Sequence, residues 1–170
     1  TSAKVKVNVT PASVGGTASA DASELCAGTG TTVKLSGNTG TIQWQSSTDG
    51  TNWSNVPGQT SSSLSTGNLS TTTKYRAVVT SSICASATST VVTITVKEHP
   101  KVDLKSDNSI VCSGNKVSLT AYSSEGSSYK WSTSSETKSS IEDNPTYTKT
   151  YEVKSYKEGC ESENKASVTV

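Results

Sequence analysis

Along most of the chain, apolar residues fall on every second position, in short runs separated by segments rich in serine, threonine and glycine. That period belongs to strands with one buried and one solvated face. One pattern occurs twice, as YRAVVTSSIC at Tyr75–Cys84 and YEVKSYKEGC at Tyr151–Cys160. Tyr75, Ala77 and Val79 alternate in the first copy, Tyr151, Val153 and Ser155 in the second, and each copy ends on a cysteine nine residues after its tyrosine. The elements around the two copies also correspond. Each is preceded by a valine–leucine strand (Val33 and Leu35; Val117, Leu119 and Ala121) and then a tryptophan strand. In the tryptophan strands Ile42 and Trp44 share one face with Gln43 and Gln45 opposite, and Tyr129 and Trp131 share one face with Lys130 outside. A serine-rich meander follows, with Leu64 and Leu69 in one case and Ile141 and Tyr147 in the other as its inward positions. VVTITV closes the first unit, and KASVTV closes the second with Ala166, Val168 and Val170 inward.

The spacings make this a repeat. Cysteine to tryptophan is 18 residues from Cys26 to Trp44 and 19 from Cys112 to Trp131. Tryptophan to tyrosine is 31 and then 20 residues, so the first unit carries an insertion around Trp53. The insertion lies in TIQWQSSTDGTNWSNV, which reads as a hairpin turning at Asp49-Gly50, where glycine supplies the positive φ of a tight turn. Lys97-Glu98-His99-Pro100 is short, polar and stiffened by proline, and marks the boundary of two units that should form a semi-rigid rod. The chain is therefore expected to be all-β, with one sandwich domain over 11–97 and another over 98–170. KVKVNV at 4–9 alternates like the closing strands, so residues 1–10 are either the terminal strand of a preceding repeat or an extra edge strand of the first domain. Pro11 stops that ladder, and PASVGGTASADASE after it reads as a loop.

Composition narrows the picture. Hydrophobic residues make up 31% of the 170, low enough for disorder, but Val, Ile, Leu, Tyr and Trp at period two favour thin sandwiches with wet outer faces. A net charge of +1 with scattered Lys and Arg gives no electrostatic case for nucleic acid or an anionic membrane, and no apolar run is long enough to span a bilayer. The four cysteines are 58, 28 and 48 residues apart, and the single histidine, His99, is distant from all of them in sequence. Metal binding wants closer pairs, so disulfides and an oxidising, extracytoplasmic setting are expected. Pairing within each unit, Cys26 with Cys84 and Cys112 with Cys160, would close loops of about 50–60 residues and contribute roughly 4 kcal/mol in the chain-entropy model. Small cores need such help. In antibody domains the second cysteine follows the corner tyrosine by two residues. Here it follows by nine, which moves the expected bond to one pole of the sandwich.

SVGGTA, C-A-G, LSGNTGTIQWQSSTDGTNW and TTTKYRAVV with its cysteine resemble the tandem Ig-like repeats of very large Bacteroidetes surface proteins. YKWSTSSETKSSI, TYTKTYEV and GC resemble the PKD-like sister repeats of the same proteins. The resemblance covers nearly the whole chain and implies two tandem Ig-like β-sandwich domains, the second PKD-like, each with one disulfide. It implies export to the cell surface, neighbouring repeats in the same chain, and either a non-catalytic spacer role in an adhesin, of the gliding-motility type or another, or a glycan-binding accessory role in a secreted polysaccharide-degrading protein. It transfers no catalytic residue. After Trp131 the second unit has Ser-Glu where its relatives carry a glycine-containing turn.

Chemistry is sparse. A nucleophilic triad needs a base, and His99 sits in the linker. Glu142-Asp143 and Asp103 with Asp107 fall on expected loops with no cleft between them. Calcium would need oxygen ligands gathered at loops, and no EF-hand spacing is present. No cofactor or metal site is expected, and the chain does not read as an enzyme. Trp44 and Trp131 belong to the core. Trp53 has two readings: a platform for a sugar face, with Gln43, Gln45 and Asn52 as polar partners of a polysaccharide ligand, or a cover over the edge of a thin core.

Overall fold

A computed structural model describes residues 5–170, and among them every regular element is a strand. The chain divides into a first unit ending at Lys97 and a second spanning Glu98–Val170. The first contains β1 (Thr17–Ala20), β2 (Glu24–Cys26), β3 (Thr32–Ser36), β4 (Thr41–Ser47), β5 (Ser54–Asn55), β6 (Ser63–Ser65), β7 (Thr73–Thr80), β8 (Ala87–Thr88) and β9 (Val92–Lys97). The second contains β10 (Val102–Ser106), β11 (Val117–Ser123), β12 (Ser128–Trp131), β13 (Ser140–Asp143), β14 (Thr150–Lys157), β15 (Cys160–Glu161) and β16 (Ala166–Thr169).

Each unit is a two-sheet sandwich. In the first, β1-β3-β6 faces β2-β9-β7-β4-β5, with β8 on β7. In the second, β10-β11-β13 faces a sheet in which β12, β15 and β16 all pair with β14. If β10, β11, β12, β13, β14 and β16 are lettered A, B, C, E, F and G, with no D strand and the two-residue β15 left unlettered, the second unit places A, B and E in one sheet and C, F and G in the other, the division found in immunoglobulin-type sandwiches. The first unit follows the same plan, with an added parallel edge where β2 runs alongside β9 and the β5 insertion extending the other edge.

Period-two patterning explains which strand is central. β7 buries Thr73, Tyr75, Ala77 and Val79, and β14 buries Tyr151, Val153 and Ser155. Trp44 lies opposite Ala77 in register, so the largest core side chain meets one of the smallest, and both are fully buried. Trp131 lies opposite Val153 in the same way. A buried indole N–H needs an acceptor. Trp44 Nε1 donates to the Ser61 carbonyl at 2.8 Å, and Trp131 Nε1 donates to the Lys138 carbonyl at 3.0 Å. Both acceptors lie on the meander that crosses to the facing sheet, so each tryptophan fixes that crossing as well as filling the core.

The second unit adds a polar strut. Tyr151 donates its hydroxyl to Asp143 Oδ2 at 2.8 Å, and Lys149 Nζ pairs with the same oxygen at 2.6 Å. The bond tethers the start of β14 to the end of β13 in the facing sheet. Burial, reinforced by the Asp143 carboxylate, pushes the Tyr151 hydroxyl up to about 12, while the Lys149 and Tyr151 hydrogen bonds hold Asp143 below the usual carboxylate range. Ser155, fully buried, carries the one buried side-chain polar atom left without a hydrogen-bond partner among the described residues. Valine fills the matching place, Val79, in the first unit.

Three local expectations need correction. The stretch after Pro11 is not all loop. Gly15 passes so close to the Thr88 carbonyl that a Cβ would lie 2.0 Å from its oxygen, and just after it β1 pairs with β3 and turns Ala18 into the core. Residues 5–9 form no strand, and Val5, Val7 and Val9 are exposed, because no described strand pairs with them; Lys4 lies outside the described residues. Tyr147 is exposed rather than inward, and in the meander of the second unit only Ile141 enters the core.

The strut has a pH signature. Since Asp143 is depressed in the folded state, its contribution is complete above the ordinary carboxylate pKa near 4 and is lost as pH falls through the folded value. Asp143→Asn should flatten the acid limb of the stability curve of the second unit, read from exchange protection of the β14 amides. Tyr151→Phe should cost about 1–2 kcal/mol at neutral pH. An unchanged acid limb would remove the strut from the account.

Candidate functional site

The cysteines are the chemically distinctive residues, and their placement overturns the expected pairing. Cys26 and Cys160 are disulfide-bonded, whereas Cys84 and Cys112 are free thiols. Neither Cys26–Cys84 nor Cys112–Cys160 is formed. The register of each unit gives the reason. Cys26 ends β2 beside Lys97, and β9 runs antiparallel to β7 with Ile94 already opposite Thr73. Cys26 therefore lies beyond the start of β7. Cys84 follows the end of β7 and closes a turn onto the Ser81 carbonyl, with its Sγ 3.5 Å from the Pro11 carbonyl. The eight residues of β7 separate the two, about 23 Å of strand, against Cα separations of about 4.4–6.8 Å across a disulfide.

The second unit repeats this. Cys160 pairs with Lys157 at the end of β14. Cys112 opens a turn whose Gly114 N–H donates to the Pro145 carbonyl and whose Ser113 hydroxyl donates to the Thr146 carbonyl, shortly before β14 begins. In each unit the first cysteine thus marks the trailing pole, where the chain leaves the sandwich, and the second marks the leading pole, where it arrives.

The residues singled out for a sugar ligand do come together in the first unit, but their polar groups are used internally. Gln43 and Gln45 point outward from β4 as expected. Gln43 Nε2 donates to the Trp44 and Val56 carbonyls, and Gln45 accepts from Arg76 Nε at 2.9 Å while donating to Asn55 Oδ1. Asn52 caps the hairpin turn on Asp49. The backbone N–H groups of Asn52 and Thr51, with the Asn52 amide and Ser47 hydroxyl, hold the Asp49 carboxyl far below the usual range. Trp53 donates Nε1 to the Gly50 carbonyl at 3.2 Å, and the Arg76 guanidinium lies 4.2 Å from the centre of its ring. Arg76 was missed in the sequence. Its signal was available, because Arg76 alternates outward from Tyr75 on the strand next to the Trp53 hairpin.

His99 is not simply solvated. Its Nδ1 lies 2.5 Å from the Glu161 carbonyl and, facing an acceptor, must donate. Glu142 pairs with Lys116, and Asp107 caps the Ser118 N–H. Among the described residues no group of three or more His, Cys, Asp or Glu is placed to hold a metal ion, and no helix is long and apolar enough to cross a membrane.

The second unit adds a groove of about 290 Å³ on its outer face, lined in part by Lys130, Lys154, Lys165, Tyr156 and Glu161. Lys130 and Lys154 are direct cross-strand neighbours. Glu161 pairs with Lys154 at 3.1 Å and accepts from the Tyr156 hydroxyl, and those bonds, Tyr156 first, keep its carboxyl low.

The Trp53–Arg76 stack is open to a double-mutant cycle. Arg76→Ala and Trp53→Ala should each destabilise the first unit, with a coupling energy of about 0.5–1 kcal/mol from urea unfolding. Additive effects would mean the two rings of charge and π density do not support each other.

Solved structures with a loose likeness include murine CEACAM1b (17% identity, TM-score 0.44, covering 91% of this chain and 98% of that one). Others are the Clostridium thermocellum CbhA fibronectin(III)-like modules (17% identity, TM-score 0.38, 90% and 93%) and the amphioxus IgVJ-C2 molecule (14% identity, TM-score 0.40, 86% and 98%). The sandwich assignment rests on the strand pairing within each unit. No curated protein matches the chain. Residues 14–98, half of the chain, match the family described as a domain of unknown function, DUF8696, and the chain belongs to that family.

Proposed function

We propose that the chain is a non-catalytic structural module, two Ig-like units in tandem that extend or present another part of a cell-surface adhesin. The observation that carries this reading is the reuse of one plan in both units. A tryptophan on the C strand packs against the central F strand, and the same two cysteine positions are placed at opposite poles. Such a design suits serial addition of units along a chain. The oxidised state of Cys26 and Cys160 fits an extracellular setting, and neighbouring repeats of the same chain are the expected partners. On this reading residues 4–9 belong to a preceding repeat and would form its closing strand only when paired within it. The exposure of Val5, Val7 and Val9 leaves that face open, and the first domain runs over 11–97.

A glycan-binding accessory role is the alternative from a different class. The internal use of Gln43, Gln45 and Asn52 and the Arg76 cover on Trp53 weaken it at the position expected for it. A glycan array probed with the intact chain and with Trp53→Ala separates the two. The module reading expects no glycan retained by the intact chain; a glycan retained by the intact chain and lost in Trp53→Ala, with the fold preserved, would replace it.

A further inference from the structure

The insertion of the first unit lies along one edge of its tryptophan strand. Trp44 donates its backbone N–H to the Gln59 carbonyl at 3.1 Å, and its own carbonyl accepts from the Val56 N–H at 2.8 Å. The neighbouring side chain takes part as well, since Gln43 Nε2 donates to the Val56 carbonyl at 2.9 Å. The second unit lacks that insertion. Trp131 faces Val153 in register, and the next bond of the ladder runs from the Ser132 N–H to the Glu152 carbonyl. Hydrogen-bonded and non-hydrogen-bonded pairs alternate along antiparallel strands, so the Trp131 N–H and carbonyl point away from β14, along the outer edge of β12. The meander takes up the Tyr129 N–H at the Thr137 carbonyl, 3.2 Å away, but no hydrogen bond among the described residues reaches the backbone of Trp131. A hollow of about 400 Å³ opens between β12 and residues 134–137, with Trp131, Glu136 and Tyr156 among its walls.

The outer face beside this edge adds a charge pattern. Lys130 and Lys154 occupy the register positions that Gln43 and Val78 hold in the first unit, and like charges directly across a strand pair are destabilising. Glu161 answers Lys154, and Glu152 answers Lys165. Glu136, on the rim, pairs with Lys138. Lys130 is the cation of this groove with no carboxylate within ion-pair distance among the described residues.

We propose that β12 is a docking edge for an extended peptide segment of another protein, one that carries an acidic side chain. The peptide backbone pairs with the Trp131 N–H and carbonyl, as Val56 and Gln59 do with Trp44 in the first unit, and its carboxylate lies on Lys130 beside Lys154. A strand added to an exposed edge gains affinity from main-chain bonds and selectivity from side-chain contacts. A dense polyanion suits the site less, because Glu136, Glu152 and Glu161 line the two hollows around Lys130 and would face its further charges. The inference goes beyond the tandem-module reading. It gives the second unit a binding edge at the place that the first unit fills with its own chain.

Two measurements on the intact chain test it. In the free chain the Trp131 amide should exchange with solvent roughly a hundredfold faster than the Trp44 amide, whose hydrogen bond protects it. The binding probe is an array of short valine- and threonine-rich peptides centred on glutamate, glutamine or lysine. The chain should be retained on the glutamate peptides, roughly tenfold less on the glutamine peptides, and not on the lysine peptides. Soluble glutamate peptide should slow Trp131 exchange. Lys130→Gln should weaken retention roughly tenfold with thermal unfolding unchanged, and N-methylation of the peptide backbone should abolish it. A Trp131 amide as protected in the free chain as that of Trp44, no peptide retained, or retention indifferent to N-methylation would each overturn the proposal. So would a polyuronate held at Lys130 in place of peptides. Absence of peptide binding leaves the module reading standing, because glycan retention by the intact chain decides that reading.

Discussion

The length of the central strand is the constraint on which the rest depends. β7 and β14 each span eight residues, about 23 Å in extended form, and each runs from one pole of its sandwich to the other. Everything that flanks them is sorted by that length. The tyrosine near the start of each strand enters the core. The next inward positions, Ala77 and Val153, receive the tryptophan of the neighbouring strand. The cysteine that follows the strand is delivered to the leading pole, out of reach of its unit's other cysteine.

Stability within each unit therefore comes from packing and from satisfied polar groups rather than from an internal covalent staple. Trp44 and Trp131 each combine a fully packed ring with a hydrogen bond to a meander carbonyl. The second unit compensates for its shorter meander with the Tyr151–Asp143–Lys149 strut. The first uses its insertion instead, where Asp49 organises the hairpin turn and Trp53 with Arg76 closes over the outer face. The unpartnered Ser155 hydroxyl sits where the first unit has Val79, a place where the repeat is preserved in shape but not in chemistry.

Much of this was legible in the chain because strand alternation leaves a direct trace. Inward and outward positions of β4, β7, β11, β12 and β14 follow from it, as does the repeat. Register is less legible, since it depends on which residues meet across strands. The cysteine pairing failed for that reason: a repeat in sequence shows which cysteines are equivalent, and only the register shows that equivalents within a unit lie at opposite ends. β1 escaped notice because its inward residue, Ala18, is small. The Trp53 cluster was assembled from the right residues but for the wrong purpose, because the sequence does not show that Arg76 covers the ring.

The most direct test of the central claim is differential thiol labelling of the unreduced monomer. Alkylation without reductant should modify Cys84 and Cys112 and leave Cys26 and Cys160 unmodified until a reductant is added. Peptide mapping that recovers a Cys26–Cys84 or a Cys112–Cys160 bond, with Cys84 and Cys112 protected from labelling, would contradict the account at its base.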